Sequence, residues 1–212
     1  MNFSLKVLEN SQVIQKSILI ALLPEANKYM DKAISIIKKD LPNIVSEAIT
    51  SEPEYFSLLS GQLKFELGIP DASSKIYSLI NMWISNMVID YNPPTMTNSS
   101  IRSSFSAKLI RANFSDVLGT DETYINDSLR GYSLPWLEWL LLDGNAIIIP
   151  NYDVVMGSNP RSRTGSAVMR GSTSSWKVPD QFSGTISDNW ITRAISNSQD
   201  KIQKLLERAL KT

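Results

Sequence analysis

The chain has 212 residues, of which 42% are hydrophobic, and its 21 basic and 21 acidic residues leave no net charge. It contains neither cysteine nor histidine. This composition excludes disulfides, thiolate metal sites and mechanisms that need a histidine base, and the balanced charge excludes a global attraction to nucleic acid or membranes.

The first quarter of the chain is predicted to be helical. Between Ala26 and Ala48, apolar residues recur every three or four positions, which is the spacing of one helix face. Residues 1–24 are predicted to form a helical arm, whose helix over about 11–23 packs back on the longer one. Pro42 is expected to kink the longer helix or to begin a new one.

The same region predicts where the protein is kept. The beginning of the sequence does not show the pattern of a signal peptide. Its most apolar run, Ile18–Leu23, is too short to span a bilayer. We therefore expect a protein of the cytoplasm until it is assembled into a larger particle.

Helices and then strands are predicted for the middle of the chain. Gly68 is expected to end a helix that begins near Pro53, and a further helix should run to about Trp83. The alternation of apolar and polar residues predicts strands, and turn residues such as Asn92–Pro94 are expected to end them. The predicted strands cover 87–91, 100–113, 146–149 and 152–156.

The last third combines a short helix, a loop and a final helix. Residues Leu134–Leu141 are predicted to form a Trp-rich helix. Residues 157–175 are dominated by Gly, Ser, Thr, Asn and Pro, a composition typical of a long flexible loop. A last helix is expected over 187–212. Together these elements predict one α+β domain over 1–212, in which a small mixed or antiparallel sheet is packed by long N-terminal and C-terminal helices.

The 157–175 loop supplies the first candidate site. No acidic residue lies between Val154 and Pro179, whereas this stretch carries four basic residues. A basic loop in a neutral protein can contact backbone phosphates without reading sequence, although most such runs are simply solvated or order against a neighbouring subunit. The candidates for contact with DNA are Arg161, Arg163, Arg170 and Lys177.

Tryptophans supply the second candidate set. Trp136 and Trp139 are three residues apart and share a helix face. Such a pair anchors either a core or a subunit interface. The predicted interface residues are Trp136, Trp139, Trp176 and Trp190. We predict no cofactor, metal or catalytic residue, because the sequence lacks the spacing of a calcium loop or nucleotide-binding loop.

Several short strings resemble those of the tail-completion and head–tail joining proteins of tailed bacteriophages. The first is Ser60-Gly-Gln-Leu-Lys64, which precedes Phe65-Glu-Leu-Gly-Ile69. The downstream strings are Leu134-Pro-Trp-Leu-Glu-Trp-Leu140, Ser162-Arg-Thr-Gly165, Trp176-Lys-Val-Pro179 and Asn189-Trp-Ile-Thr-Arg193. The resemblance covers residues 25–212.

The resemblance implies a structural virion protein and not an enzyme. Members of this group assemble as six-fold or twelve-fold rings, so the implied partners are other copies of the chain, the neighbouring connector and tail proteins, and packaged DNA. The implied location is the neck of the virion, after assembly in the host cytoplasm. The alternatives are a tail terminator or baseplate component, a small DNA-binding accessory protein, and a carboxylate hydrolase that acts on cell-wall glycan.

Overall fold

The structure is a computed structural model that describes residues 10–108, 114–127 and 131–211. These ranges contain seven α-helices and three two-stranded antiparallel sheets, which confirms the predicted α+β class. The described residues form two compact units. Of the described residues, the first unit draws on 10–41, 88–108 and 202–211, and the second on 42–87, 114–127 and 131–201. The prediction that 1–212 form one domain stays a prediction.

Helix α1 (Ser11–Ser51) is one continuous helix of 41 residues. The prediction of an earlier helix that packs back on a later one is therefore wrong, and so is the prediction that Pro42 starts a new helix. A proline removes a single backbone hydrogen bond from the helix ladder. The helix continues past Pro42 because its apolar stripe is buried before and after that residue, at Leu41 and at Val45. Residues 1–9 of the predicted arm lie outside the described residues.

The first unit contains the hairpin of β1 (Val88–Met96) and β2 (Ile101–Lys108). The prediction that Asn92–Pro94 end the first strand is wrong, because β1 continues through them with a shift of register between Asn92 and Thr95. Prolines cannot donate to the ladder, and a bulge accommodates them. Residues 109–113 of the predicted second strand lie outside the described residues.

Most helices belong to the second unit. Gly68 ends one of them in the left-handed conformation with φ of 67°, as predicted. A short 3-10 helix covers Asp121–Thr123. The α-helices after α1 are α2 (Pro53–Ser60), α3 (Gln62–Leu67), α4 (Ala72–Ser85), α5 (Trp136–Leu141), α6 (Trp190–Asn197) and α7 (Gln199–Ala209), the last of which contributes residues to both units.

Three large aromatic side chains are fully enclosed in the second unit. The rings of Trp83 and Trp190 meet edge to face, with centroids 5.9 Å apart. The indole N–H of Trp190 donates to the carbonyl of Ile49 at 3.1 Å, and that of Trp136 donates to the carbonyl of Glu122 at 3.0 Å. Burial of the three rings and pairing of the N–H groups of Trp136 and Trp190 make this region a fixed core, in which the buried N–H of Trp83 has no hydrogen-bond partner among the described residues.

The start of α6 explains the string 189–193 residue by residue. The buried side chain of Asn189 accepts hydrogen bonds from the N–H groups of Ile191 and Thr192, and the Thr192 hydroxyl accepts one from the Asn189 N–H. This reciprocal cap is why the helix begins at Trp190 and not near residue 187.

Arg193, at the end of that string, forms a half-buried ion pair. It lies 2.5 Å from the carboxylate of Glu54, whose side chain is 1% exposed, and 2.8 Å from Asp188. Burial alone would lower the pKa of Arg193, but hydrogen bonds to Glu54 and Asp188 outweigh that effect and raise the pKa.

The predicted single C-terminal helix is divided in two. Helix α6 ends at Asn197 and α7 begins at Gln199, with the buried Ser198 between them. The Ser198 hydroxyl donates to the carbonyl of Ile195 at 2.9 Å, a local bond that competes with the helix ladder.

The remaining strands form two small hairpins of the second unit. They are β3 (Ile125–Asp127) with β4 (Tyr132–Leu134), and β5 (Tyr152–Met156) with β6 (Ala167–Gly171). The predicted strand over 146–149 is wrong, because only Ile149 pairs, in an isolated bridge to Trp176. None of the described helices is long and apolar enough to cross a membrane.

Candidate functional site

The β5–β6 hairpin corrects the prediction of a loop over 157–175. Five of those residues, Ala167–Gly171, form a strand that pairs with β5 in regular antiparallel register. The glycines and serines around this strand suggested irregular structure, but Val154 and Val155 in the preceding strand supply β-branched partners. Sequence reasoning missed the pairing because the two strands are separated by ten residues without regular structure.

The connection between the two strands is held by its own hydrogen bonds. Asn159 accepts a hydrogen bond from the N–H of Arg161 at 2.9 Å, and its N–H donates to the carbonyl of Gly165 at 3.1 Å. The Ser162 hydroxyl accepts from the N–H of Ala167 at 3.2 Å. These bonds fix the backbone that carries Arg161 and Arg163, so both side chains project from a defined turn.

A groove of about 620 Å³ lies beside this hairpin. Three of the four basic residues predicted to contact DNA line it together, namely Arg161, Arg163 and Arg170. Leu134, from the β3–β4 hairpin, and Ile149 supply apolar surface. The complete lining is Leu134, Ile149, Asn159, Arg161, Ser162, Arg163, Ala167, Val168, Met169 and Arg170.

The three groove arginines carry charge that is not neutralised within the described part of the chain. None of them forms an ion pair there. Asp153 is the cross-strand neighbour of Arg170, but its carboxylate accepts a hydrogen bond from the Ser172 hydroxyl at 2.6 Å. That bond, with a second from Ser174, lowers the pKa of Asp153. The groove is therefore a local basic surface on a neutral chain.

Lys177 does not belong to this surface. Its ammonium group lies 2.5 Å from the carboxylate of Asp180, and it is absent from the groove lining that the structure describes. The prediction that grouped Lys177 with the three arginines is therefore corrected, because a lysine that is already paired adds no free charge beside them.

Arg163 has a second contact. Its guanidinium lies over Gly68 at the end of α3, where an added Cβ atom would be 3.1 Å from a guanidinium nitrogen. Gly68 has a positive φ, and this backbone conformation is what favours glycine there, since the exposed Arg163 side chain can move aside.

The predicted interface tryptophans are mainly core residues of the second unit. Trp136 and Trp190 have no exposed surface and Trp176 is 6% exposed, so these three side chains face the interior of their own chain. The interface prediction is corrected for them, and the core alternative holds. Trp139 is half-buried against the ring of Trp176, at 6.1 Å between centroids, and its role at an interface stays a prediction.

An apolar surface that sequence reasoning missed lies on the first turns of α1. Ile14, Ile18 and Leu22 recur every four residues and form one row, with 37%, 53% and 51% of their surface exposed. Val13 and Ile20, seven residues apart, are exposed by 50% and 54%. The signal for this surface is the uninterrupted apolar run 18–23, which is too short to span a bilayer but covers every side of the helix over its length. An exposed apolar surface of this kind indicates a partner surface.

The described residues contain no group of three or more acidic side chains that could hold a metal ion. Comparisons with protein-family models, with curated proteins and with solved structures found no match to this chain.

Proposed function

We propose that this chain is a structural subunit of a tailed-phage virion, one copy of a homo-oligomeric ring that joins or seals the head–tail junction. Its partners in this role are other copies of itself and the neighbouring connector and tail proteins. The motif resemblance supports the virion assignment, and the exposed apolar surface of α1 supports self-assembly.

The observation that carries the proposal is the exposure of the row Ile14, Ile18 and Leu22. These side chains lie on a helix whose later apolar residues, such as Ile37 and Leu41, are almost completely buried. Isolated surface apolar residues need no explanation, but a contiguous row on a helix marks an interaction site. A ring subunit has to bury such a row against another copy, because each protomer makes two unlike contacts in a closed ring.

The strings that resemble those of phage proteins have roles in the fold of this chain, and they say less about its contacts with other subunits. Gly61, in the string 60–64, separates α2 from α3, and a Cβ atom there would lie 2.9 Å from the Cα of Ser57. Leu63 of the same string is fully buried. The residues that carry the resemblance therefore have structural tasks in this chain, as those of a scaffold protein should.

Light scattering over a concentration series tests self-assembly. The wild-type protein should give a mass several times that of one chain, and Ile14→Glu, Ile18→Glu and Leu22→Glu together should give single chains. The matched control is Tyr77→Glu, Ile147→Glu and Ile186→Glu, three exposed residues of the second unit with 57–70% exposure, which should leave the mass unchanged. A single-chain mass of the wild type at every concentration would contradict the proposal.

The location needs a separate experiment. Antibody raised against the purified protein should label the head–tail junction of the phage particles released by cells that make the protein, in negatively stained electron micrographs. Labelling at the baseplate would instead support the alternative of another tail component, and particles without label would contradict the virion assignment.

A second candidate function is a small DNA-binding accessory protein, which is favoured by the three groove arginines, because none of them forms an ion pair with a described residue. Binding to phosphates would depend strongly on salt, because each contact releases a condensed counterion. The contact of Arg161, Arg163 and Arg170 with packaged DNA stays a prediction. Salt-sensitive binding of the protein to duplex DNA would support this candidate, and it would not require an oligomer.

A further inference from the structure

Strand β6 has one edge without a neighbouring strand. Among the described residues it pairs with β5 alone. The bonds that flank the pairing, from the N–H of Gly157 to Ser166 and from the N–H of Ser172 to Asn151, fix which residues face β5. In an antiparallel pair, successive residues point their backbone groups alternately toward the partner and away from it. The residues of β6 that point away from β5 are Ala167, Met169 and Gly171.

The outward backbone groups of Met169 and Gly171 are available for a further strand. Within the described part of the chain, no hydrogen bond uses the N–H or the carbonyl of either residue. The N–H of Ala167 is already bonded to the Ser162 hydroxyl at 3.2 Å, so the available edge begins after it. Two residues with both groups outward offer four hydrogen bonds, the pattern on which an added strand docks.

The groove runs along this same edge. Four consecutive residues of β6, from Ala167 to Arg170, line it. Among the described residues that line the groove, none belongs to β5. Since β5 occupies the inner edge of β6, the groove lies on the side of β6 away from β5, with Leu134 and Ile149 also in its lining.

The residues that line the groove determine which kind of ligand it can bind. Arg161, Arg163 and Arg170 favour a chain with negative charge, and their planar guanidinium groups match carboxylates in two-point contacts. Leu134 and Ile149 favour apolar side chains. A nucleic acid strand would also bring negative charge, but none of the described side chains that line the groove is aromatic, so none of them offers its bases a stacking surface. A strand edge recognises a peptide backbone and has no counterpart in a phosphodiester.

We propose that the groove binds an extended acidic peptide segment of a partner protein, which adds to β6 as a strand. Its backbone bonds to Met169 and Gly171, its carboxylates meet the three arginines, and its apolar side chains contact Leu134 and Ile149. The arginines also repel basic segments, so that the edge accepts an oppositely charged strand. This site goes beyond self-assembly and does not rest on it.

Fluorescence anisotropy with the full-length protein tests the proposal. The probe is a labelled peptide of about nine residues in which glutamate and valine alternate, since a strand of this length covers an edge of ordinary size. Four comparison ligands are used: the same peptide with lysine for glutamate, a version N-methylated on the glutamates, a version N-methylated on the valines, and a single-stranded oligo-dT. The glutamate peptide should bind, the lysine peptide should not, and only one N-methylated version should lose binding, because alternate N–H groups of a strand face β6.

Protein variants locate the site. Replacing Arg161, Arg163 and Arg170 by Gln should weaken binding of the glutamate peptide about 10- to 100-fold, the sum expected for three exposed ion pairs. Replacing Lys28, Lys38 and Lys39 of α1 by Gln removes the same charge and should change binding less than about twofold. The double variant Arg161→Gln, Arg170→Gln leaves the contact of Arg163 with Gly68 intact and should still weaken binding.

A variant of the edge tests the backbone contact separately. Met169→Pro removes an outward N–H, and proline is tolerated on the free side of an edge strand. It should abolish peptide binding while the far-ultraviolet circular dichroism spectrum stays that of the wild type. If Met169→Pro fails to fold, the two N-methylated peptides decide the same question on the wild-type protein. Equal binding of the glutamate and lysine peptides, insensitivity to both N-methylations, or binding of oligo-dT without binding of the glutamate peptide would each overturn the proposal.

Discussion

The first turns of α1 and the tryptophan core of the second unit are both rich in apolar side chains, but α1 exposes them and the core buries them. In the core, Trp136 and Trp190 have no exposed surface and their ring N–H groups are paired. On α1, Ile14, Ile18 and Leu22 are between 37% and 53% exposed. Burial of an apolar side chain contributes about 1.5–3 kcal/mol, which the core gains within one chain and which the exposed row of α1 would gain only against a partner surface. Composition alone does not distinguish an interior from an interface.

The largest difference between the two regions is expected from truncation. Trp190→Ala should lower the free energy of unfolding by about 3–5 kcal/mol, because it leaves a cavity and an unpaired carbonyl at Ile49. Ile18→Ala should change the free energy of unfolding of the single chain by less than about 0.5 kcal/mol. Urea unfolding at a concentration below the onset of association measures both. A comparable loss from Ile18→Ala would show that α1 is already packed at this surface.

A smaller effect should follow from breaking the ion pair of the core region. Arg193→Met leaves the buried carboxylate of Glu54 without its charged partner. Loss of one member of a buried pair costs about 3–5 kcal/mol, and we expect less, about 1–3 kcal/mol, because the Arg193 side chain is 30% exposed and so partly screened. Thermal and urea unfolding measure the change. The control Asp188→Asn removes the exposed partner and should cost less than about 1 kcal/mol.

Replacing Pro24 should stabilise the first turns of α1 without changing the apolar row of Ile14, Ile18 and Leu22. It lies inside the helix and supplies no N–H to the helix ladder. Pro24→Ala should restore that bond and stabilise the helix locally by about 1–3 kcal/mol. Slower amide hydrogen exchange over residues 13–22 measures the gain, while exchange at Trp190 serves as the internal control. Unchanged exchange would mean that association, and not the helix itself, sets the stability of this stretch.

The smallest effect concerns a titration beside the groove. The hydrogen bond from Ser172, followed by that from Ser174, lowers the pKa of Asp153 below the usual aspartate value of about 3.9. These hydrogen bonds therefore stabilise the folded state fully at pH values above the usual aspartate pKa. The stabilisation is lost as the pH falls through the lower pKa that Asp153 has in the folded state. Ser172→Ala should raise the pKa of Asp153 more than Ser174→Ala does, in a carbon-detected NMR titration. The reverse order would contradict the assignment of the main hydrogen bond.

Local signals in the sequence predicted much of the fold. The helical period fixed the face of α1 that contains Ile37 and Leu41, and Gly68 ends α3 as its lack of a side chain suggested. The errors came from residues that usually interrupt an element. Pro42 and Pro93 lie within a helix and a strand, because neighbouring residues hold those elements on either side. Local preference is a weak prior where contacts distant in sequence contribute more.

The candidate site could be predicted only in part. The absence of acidic residues near Arg161, Arg163 and Arg170 identified the charge, since that is a property of the sequence itself. The groove needed the pairing of β5 with β6 and the approach of Leu134 and Ile149, which no spacing along the chain encodes. The free edge of a strand is likewise invisible until its partners are known.

The contact of Arg163 with Gly68 joins the end of α3 to the groove. Gly68 has a positive φ, so any other residue there strains a left-handed backbone, and its Cβ atom would also lie 3.1 Å from a guanidinium nitrogen of Arg163. Arg163 is exposed and flexible and can move aside, so the backbone conformation is the stronger reason for glycine at position 68. A substitution of Gly68 should therefore be observed first as a loss of stability, and only second as a shift of one groove side chain.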